Sequence, residues 1–426
     1  MSGLGLLLLT GTLVLGLPIA LALVLTCGFL IIDRGLPLML LAQRLFNGLD
    51  SFPIMAVPLF ILAGELMNES GITDRIVRLA DAFVGHLRTG LCQVAILSSV
   101  IFAGISGSAV ADASALGRVF IPAMEREGYQ RSFAAALIAA GAVIGPIIPP
   151  SIPMMIFALI VQESVAALFL AGVVPGLLLG AALAITAYGT MRGEAPPPKP
   201  AVAVPGLLKA LAEGTIPILM PVIILATILS GVVTPTEAAA VAVLYALLVG
   251  LFVLRTLTLA SLFRVFASSM LLSAVILFLM ASAYLVNWLL TTDQIPQRFA
   301  AFILGHVGDP LTFLLLVNML LLVVGCLLEG LAAMIVLVPI LAPVATSLGI
   351  DPIQFALVVV LNLMIGLITP PMGLCLFVVD GIARVGLPSI LRRIWPFLVA
   401  ELAVLLLVTL VPAMSTALPR ALGFGS

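Results

Sequence analysis

Two segments of this sequence have residue types and spacing that could bind a cation. Residues 145–150 and 366–371 each lie in an apolar stretch, begin with a glycine and end with two prolines. Proline has no N–H, and its ring clashes with the carbonyl group four residues earlier. The carbonyls of Gly145 and Gly366 therefore lose their helical donors. An unpaired carbonyl in an apolar environment costs on the order of several kcal/mol, and hard cations such as Na⁺ prefer oxygen ligands. Either segment alone could instead be a simple kink.

The two segments belong to an internal repeat with an offset of 221 residues. The same offset pairs glycine with glycine and proline with proline at four further places: Gly104 and Gly325, Pro122 and Pro343, Gly128 and Gly349, and Pro175 and Pro396. A duplication explains these matches better than chance. Weak internal symmetry with Gly/Pro-interrupted segments at matching positions is typical of the binding site of a secondary transporter.

A second repeated element is rich in small and polar residues. Residues 104–114 contain Ser106 and Ser108 among glycines and alanines, and residues 325–330 are their counterpart, with Glu329 aligned to Ser108. Glycine permits a sharp chain reversal and serine can contact a solute or an ion, although close helix packing is the alternative. A carboxylate inside an apolar segment costs about 2.5–3.5 kcal/mol on insertion scales. Glu329 therefore needs a partner, a water-filled cavity or a position at the membrane interface. Three further acids raise the same question: Asp112, Glu237 and Asp380.

An enzymatic interpretation rests on residues 104–107, which fit the G-x-S-G motif of rhomboid-type intramembrane serine proteases. Such a serine needs a histidine base within hydrogen-bond reach. The two histidines, His86 and His306, both lie outside the interior of the apolar segments. We therefore expect a protein that is not an enzyme.

The composition determines what kind of elements must position these residues. Of the 426 residues, 63% are hydrophobic and only 9% are charged, whereas soluble domains usually carry about 25% charge. Residues 4–32 contain no charge and are predicted to be a retained first helix, not a cleaved signal peptide. We predict an all-α, multi-pass integral membrane protein. The net charge of −1 argues against nucleic-acid binding. The four scattered cysteines suggest neither a disulfide nor a zinc site.

The apolar segments and the breaks between them suggest a division of the chain. Residues 71–87 are predicted to form an amphipathic interfacial helix whose apolar stripe is Ile72, Ile76, Leu79, Phe83 and Leu87. Residues 192–214 are predicted to be a proline-rich linker. Around it we predict N-terminal scaffold helices in 1–90, a first transport repeat in 91–191, further scaffold helices in 215–310 and a second transport repeat in 311–426.

Several ordered motifs, spread over nearly the whole chain, resemble the large membrane subunit of tripartite ATP-independent periplasmic (TRAP) transporters. Residues 56–64 and 71–72 are similar to the family's P-L-F-x-L-A-G…G-I segment, and residues 106–109, 122–124 and 128–129 to its first hairpin region. Residues 145–151 match its G-x-x-x-P-P-S signature, and residues 349–352 and 369–373 resemble its second-half signature.

The resemblance implies an elevator-type transporter with two inverted repeats, each with a re-entrant helical hairpin and a broken helix. It implies Na⁺ at the hairpin tips and broken helices, with one site at Ser106, Gly145, Ile148 and Pro150 and another at Gly325, Gly366, Thr369 and Met372. The solute would lie between the tips, near Ser108 and Glu329. No catalytic residue, organic cofactor or metal besides the coupling Na⁺ is expected. Nor is a nucleotide motif of the G-x-x-x-x-G-K-[ST] type present, which agrees with ion coupling.

The resemblance also implies a function, partners and a location. The expected function is Na⁺-coupled import of an organic acid across the bacterial inner membrane. The expected partners are a periplasmic solute-binding protein and a separate small four-helix membrane subunit. The alternative is a standalone ion-coupled anion transporter of similar architecture that needs no binding protein.

Overall fold

The computed structural model describes residues 15–191, 204–294, 308–371 and 373–424, together with 7–8, 10–12, 298, 301 and 305. Regular structure in these ranges is helical. Seven helical segments are long and apolar enough to cross a membrane: Phe52–Glu69, Val165–Met191, Pro205–Leu229, Pro235–Val253, Leu259–Thr292, Gly330–Ser347 and Leu387–Leu410. The prediction of an all-helical, multi-pass chain is confirmed.

The first half of the chain forms nine helices within the described residues. They are α1 (Ile19–Asp33), α2 (Met39–Asn47), α3 (Ala56–Glu69), α4 (Ile72–Val84), α5 (Gly90–Ser106), α6 (Ala109–Arg126), α7 (Arg131–Ala142), α8 (Ile152–Val161) and α9 (Val165–Met191). The apolar run 4–32, in which the first helix is predicted, is interrupted: α1 begins at Ile19, after a turn with Gly16 at φ +80° and an N-cap at Pro18.

The second half continues with helices of the same kind. They are α10 (Val204–Leu229), α11 (Pro235–Leu248), α12 (Leu259–Thr292), α13 (Pro310–Gly325), α14 (Gly330–Ser347), α15 (Pro352–Gly366), α16 (Leu374–Ala383), α17 (Leu387–Leu410) and α18 (Ala413–Ala421). Proline, which is pre-organised for the first turn of a helix, is the first residue of α11, α13 and α15.

Two sequence predictions need correction at their edges. The predicted linker 192–214 extends too far, since α10 already begins at Val204 with proline at its second position, while 192–203 lie outside the described residues. In α4 the residues Ile72, Ile76 and Leu79 are buried as predicted, but Phe83 and Leu87 are 46% and 42% exposed. The buried stripe therefore ends about one turn before the end of α4 at Val84.

The helix order repeats at the offset found in the sequence. Helices α5 and α6 form a hairpin, α7 and α8 flank a break, and α9 is long; α13 and α14, α15 and α16, and α17 follow in the same order. Helices α8 and α16 are each 10 residues long. At 1.5 Å per residue such a helix spans about 15 Å, roughly half of the hydrocarbon thickness of a bilayer.

The repeats pack on each other reciprocally. Helix α6 of the first repeat lies against α16 of the second, and α14 of the second lies against α8 of the first. Aromatic contacts join the repeats as well: the rings of Phe157 and Phe355 are 6.2 Å apart, and those of Phe133 and Phe397 are 5.8 Å apart. Helices α3, α11 and α12 pack together as a separate layer, and α12 contacts α14. The repeats therefore form one core with the layer of α3 and α12 beside it.

Candidate cation and solute site

The first break lies between α7 and α8. Helix α7 ends at Ala142, residues 143–150 are turns, and α8 begins at Ile152. Ser151 caps α8 by accepting the N–H of Met154 at 3.2 Å, while its hydroxyl donates to the carbonyl of Pro146. The Pro149–Pro150 peptide bond is cis. The predicted interruption of the helix is confirmed here.

Within the first break the predicted carbonyls lack hydrogen-bond donors. No N–H or side chain of the described residues donates to the carbonyl oxygens of Gly145, Ile148 or Pro150. The end of the break lies against the α5–α6 hairpin. A Cβ placed on Gly107 would lie 2.7 Å from the Pro150 oxygen, and one on Gly104 would lie 3.5 Å from the Pro149 oxygen. Gly107 has φ +59°, a conformation that glycine adopts without strain, so the tip can approach the break closely.

A buried carboxylate completes the first site. Asp112, in the first turn of α6, is 0% exposed and accepts a hydrogen bond from the Ser106 hydroxyl. Its Oδ2 has no hydrogen-bond partner among the described residues. The same oxygen faces Gly145, where an added Cβ would collide with it. The Ser106 hydroxyl and the Asp112 carboxylate thus lie beside the break at Gly145, and the Pro150 carbonyl lies beside Gly107 at the tip. Oxygen groups of these kinds suit a hard cation.

The second break is more fully bonded. Helix α15 ends at Gly366 and α16 begins at Leu374, with Pro370–Pro371 again cis. The expectation that the Gly366 carbonyl is free is wrong, because the turn after α15 lets the N–H of Thr369 donate to it at 3.1 Å. The Leu367 carbonyl accepts the N–H of Cys375 at 3.0 Å. Met372 lies outside the described residues.

Two oxygens at the second break remain available. The Thr369 hydroxyl donates to the carbonyl of Ile365 at 2.8 Å. The lone pairs of the hydroxyl oxygen can still accept a hydrogen bond or bind a cation. The carbonyl of Gly325, at the tip of the α13–α14 hairpin, packs so closely on Gly366 that an added Cβ there would lie 2.7 Å from it. The second tip and break therefore meet as the first ones do.

The two tips begin helices with matched caps. Ser108 caps α6, accepting the N–H of Ala111 at 3.5 Å, and Glu329 caps α14, accepting the N–H of Ala332 at 2.8 Å. Of the other acids in question, Glu237 caps α11 together with Thr234, and Asp380 accepts the N–H of Gly386 at 2.8 Å. Helix capping therefore accounts for Glu329 and Glu237, and a backbone N–H of the next loop for Asp380, all three without an ion pair.

One cavity of about 450 Å³ touches both tips, both breaks and the layer of α3 and α12. Its polar lining includes Ser106, Ser108 and Glu329 from the tips and Glu65 and Asn68 from α3. The remaining lining residues are mostly apolar: Ile61, Gly64, Phe102, Gly107, Ala109, Val110, Ala111, Ser114, Pro146, Ile152, Pro153, Leu272, Val275, Ile276, Leu279, Leu331, Met364 and Leu367. The first turns of α6 and α14 both face this cavity, so two partly positive helix ends point into it.

The structure brings together most of the residues that the sequence singled out. Ser106, Gly145 and Pro150 meet at the first tip, Gly325 and Gly366 at the second. Sequence reasoning left Asp112 unassigned and missed Glu65. A negative charge six residues after Ser106, in an otherwise apolar run, was the signal for Asp112. The described residues contain no group of three His, Cys, Asp or Glu that could hold a metal ion.

The geometry does not support a protease. Ser106 ends α5, whereas the exposed His86 precedes its first residue. Seventeen residues of helix separate them by about 25 Å. His306 lies outside the described residues. The Ser106 hydroxyl donates to a carboxylate, Asp112, in place of a histidine.

Comparison with known proteins agrees with this geometry. Residues 6–414 match the family model of the DctM component of tripartite ATP-independent periplasmic transporters. The sialic acid TRAP transporter large permease SiaM of Vibrio cholerae is 40% identical over 417 residues, covering 97% of this chain and 98% of that protein. The C4-dicarboxylate TRAP transporter large permease DctM of Pseudomonas aeruginosa is 41% identical over 383 residues, covering 90% of each. In fold alone, the chain is similar to the YdaH transporter of Alcanivorax borkumensis, with a TM-score of 0.62 over 88% of both chains at 16% identity.

These relatives are transport permeases, which confirms the expectation that the chain is not an enzyme. Large permeases of this kind in general work with a small membrane subunit and a periplasmic binding protein. The apolar helices and the match together make the protein a multi-pass protein of the inner membrane. The chain belongs to the DctM family, the large permease components of TRAP transporters.

Proposed function

We propose that this chain imports an organic acid together with Na⁺, receiving the solute from a periplasmic binding protein. The proposal rests on the buried Asp112, whose Oδ2 has no hydrogen-bond partner among the described residues and lies against Gly145 at the first break. The carbonyls of this break accept no hydrogen bond from the described residues, and the cavity shared by both repeats lies beside it. A negative carboxylate with a free oxygen inside an apolar core needs a positive partner. A bound Na⁺ supplies that charge and the missing ligand partners together.

The proposed cation sites differ in composition. The first uses the carbonyls of Gly145, Ile148 and Pro150 with Ser106, as the family resemblance suggests. We add Asp112, because it accepts the Ser106 hydrogen bond and lies against Gly145. The second uses Gly325, Gly366, Thr369 and Met372. Each cation lies behind one hairpin tip, so its binding holds the tip against the break. We infer that cations bind first and thereby shape the cavity for the solute.

The proposed solute is an anion held between the tips. The N-terminal ends of α6 and α14 face the cavity, and helix N-termini favour anions by about 0.3–1 kcal/mol each at exposed positions. The related proteins named for sialic acid and for C4-dicarboxylates both concern carboxylates. Ser108 offers a hydroxyl to the solute, whereas the Glu329 carboxylate already caps its own helix.

The proposed movement is of the elevator type. The reciprocal packing of α6 on α16 and of α14 on α8 ties both tips and both breaks into one unit, while α3 and α12 line the opposite wall of the cavity. A rigid unit that slides along this wall exposes the cavity to either side of the membrane. Inverted orientation of the two repeats is part of the same proposal.

Uptake into proteoliposomes tests the proposal. The chain is reconstituted with its small subunit, and uptake of labelled sialic acid and of labelled succinate is measured with and without the binding protein and with a Na⁺ or K⁺ gradient. We expect uptake of one of these probes or of a related carboxylate only with Na⁺ and the binding protein. Uptake by the chain alone would support the standalone anion transporter, and uptake without any Na⁺ gradient would contradict the coupling.

A further inference from the structure

Glu401 lies in the middle of α17 and takes no part in either proposed cation site. Its side chain is 0% exposed. Neither carboxyl oxygen has a hydrogen-bond partner among the described residues. Glu329 and Glu237 cap helices, Asp380 accepts the N–H of Gly386, and Asp112 accepts a hydroxyl hydrogen bond. Glu401 is therefore the acid in the repeat core whose two oxygens both lack any such contact in the described part of the chain.

The helices packed against α17 offer no positive charge to Glu401. They are α7, α9, α13, α15, α16 and α18. Helices α9, α13 and α15 contain no charged residue at all. The charged residues of the others are engaged elsewhere: Arg131 with Glu125, Asp380 with Gly386, and Arg420 with Asp351. On α17 itself, Arg393 bonds to Gln130 near the start of the helix, and Arg392 adjoins it.

A buried thiol lies on one of the helices packed against α17. Cys375, in the first turn of α16, is 0% exposed. A thiol supplies no positive charge, so an ionised Glu401 would place an unpaired negative charge in this buried core, and burial disfavours the charged form of a carboxyl.

Burying a charged carboxylate without a partner costs more free energy than its remaining interactions contribute. Such a group becomes neutral by binding a proton. We propose that Glu401 is a proton-binding site, held as the neutral carboxylic acid inside the folded repeat core. The proton enters from water when this core opens or folds. Because the argument uses no bound Na⁺ and no solute, it stands independently of the proposed transport function.

Infrared spectroscopy of the purified full-length protein tests the proposal. A neutral carboxylic acid has a C=O stretching band well separated from that of a carboxylate. We expect this band in the wild-type protein at neutral pH and expect one carboxyl's share of it to disappear in Glu401→Gln, which mimics the neutral acid in shape. Glu401→Met, a second variant that also removes the acid, is expected to lose the same share.

The matched control is Glu125→Gln, which removes an exposed glutamate that pairs with Arg131. The spectrum of Glu125→Gln is expected to keep the band unchanged. The spectrum of Asp112→Asn is expected to keep the part of the band that Glu401 contributes. A band of equal intensity in wild type, Glu401→Gln and Glu401→Met would overturn the proposal, since Glu401 would then be ionised in the folded protein.

Unfolding as a function of pH gives an independent readout. The folded protein holds the proton on Glu401, whereas the unfolded chain releases it above the usual glutamate pKa of about 4.3. Raising the pH therefore favours unfolding of wild type over Glu401→Gln. The ratio of their unfolding constants is expected to rise about tenfold per pH unit until the folded protein also releases the proton. A ratio that stays constant between about pH 5 and pH 9 would contradict the proposal.

Discussion

The break at 145–150 and the break at 366–371 occupy equivalent positions in the two repeats, yet their oxygen atoms meet different partners. At the first break the Gly145 carbonyl accepts no hydrogen bond from the described residues, and a buried carboxylate lies against the Gly145 Cα. At the second break Thr369 donates to the Gly366 carbonyl. The residue equivalent to Asp112 at the repeat offset is Ala333. One duplicated backbone thus has a buried carboxylate beside one break and an alanine at the equivalent position of the other.

This difference means that the two sites should respond differently to mutation. A cation at the first site gains a charge–charge interaction in an apolar core, whereas one at the second gains only dipolar contacts from carbonyl and hydroxyl groups. The first site should therefore bind Na⁺ more tightly and should be more sensitive to the loss of one side chain.

The largest effect is expected from Asp112→Asn, which removes the charge at nearly constant shape. Na⁺ stabilisation of the purified protein against heat, measured relative to K⁺, should require at least about tenfold more Na⁺, since a contact to a charged group contributes about 1.5–3 kcal/mol. Glu125→Gln, at an exposed position, serves as the control. An unchanged Na⁺ dependence in Asp112→Asn would contradict the proposal that the Asp112 carboxylate binds Na⁺ at the first break.

Next in size are alanine substitutions of the two glycines. In Gly366→Ala the new Cβ meets the backbone of Gly325 at 2.6–2.7 Å, so the tip must move, and we expect a loss of about 1–3 kcal/mol in unfolding free energy. In Gly145→Ala the Cβ meets the side chain of Asp112, which can rotate away.

We therefore expect Gly145→Ala to weaken Na⁺ stabilisation more than it lowers the melting temperature, and Gly366→Ala to do the reverse. Gly381→Ala is the matched control, because a Cβ there meets nothing within 4 Å. Equal losses of stability and of Na⁺ dependence in both variants would show that the breaks do not differ in the way described.

A smaller effect is expected from Thr369→Val, which removes the hydroxyl of the second site and keeps the side-chain shape. The carbonyls around it remain, so Na⁺ dependence should weaken only about three- to tenfold, as the loss of one contact of about 1 kcal/mol would give. Thr346→Val, whose hydroxyl bonds within α14 away from the breaks, is the control. Identical Na⁺ titrations for Thr369→Val and wild type would argue against a ligand role for this hydroxyl.

The smallest effect is expected from Glu329→Gln at the second tip. Glutamine can still accept the N–H of Ala332, so the cap is kept, while the negative charge near the cavity is lost. With one repulsive charge fewer, the KM for a carboxylate probe should fall by a factor of about two to five, in line with about 0.3–1 kcal/mol for a charge at a helix end. A raised KM would indicate that Glu329 contacts the solute directly.

Much of this arrangement follows from local chemistry that a sequence reports directly. Proline pairs break helices wherever they occur, so both breaks are predictable at 145–150 and 366–371. The glycines and serines of 104–114 indicate the first tip for the same local reason. Whether a freed carbonyl accepts a new hydrogen bond depends on more than the local sequence. Whether Gly366 finds a donor depends on the path of the turn after α15, which positions Thr369 three residues on.

Asp112 and Glu401 show what sequence patterns leave open. Both acids are visible in the sequence, but the sequence does not say that they are buried or what lies beside them. Asp112 lies 33 positions before Gly145 and reaches it only because the α5–α6 hairpin folds its tip onto the break. The isolation of Glu401 can be recognised only when every helix around α17 is in place.

The sequence by itself determined that this chain is helical, crosses the membrane several times, is duplicated, and breaks two helices at equivalent points, because composition and proline chemistry act locally. The tertiary structure alone decided which oxygens are left without donors, which acid faces them, and that both tips open into one cavity. Those properties depend on contacts between residues far apart in the chain, and a buried charge is stabilised or neutralised by whatever the fold brings beside it.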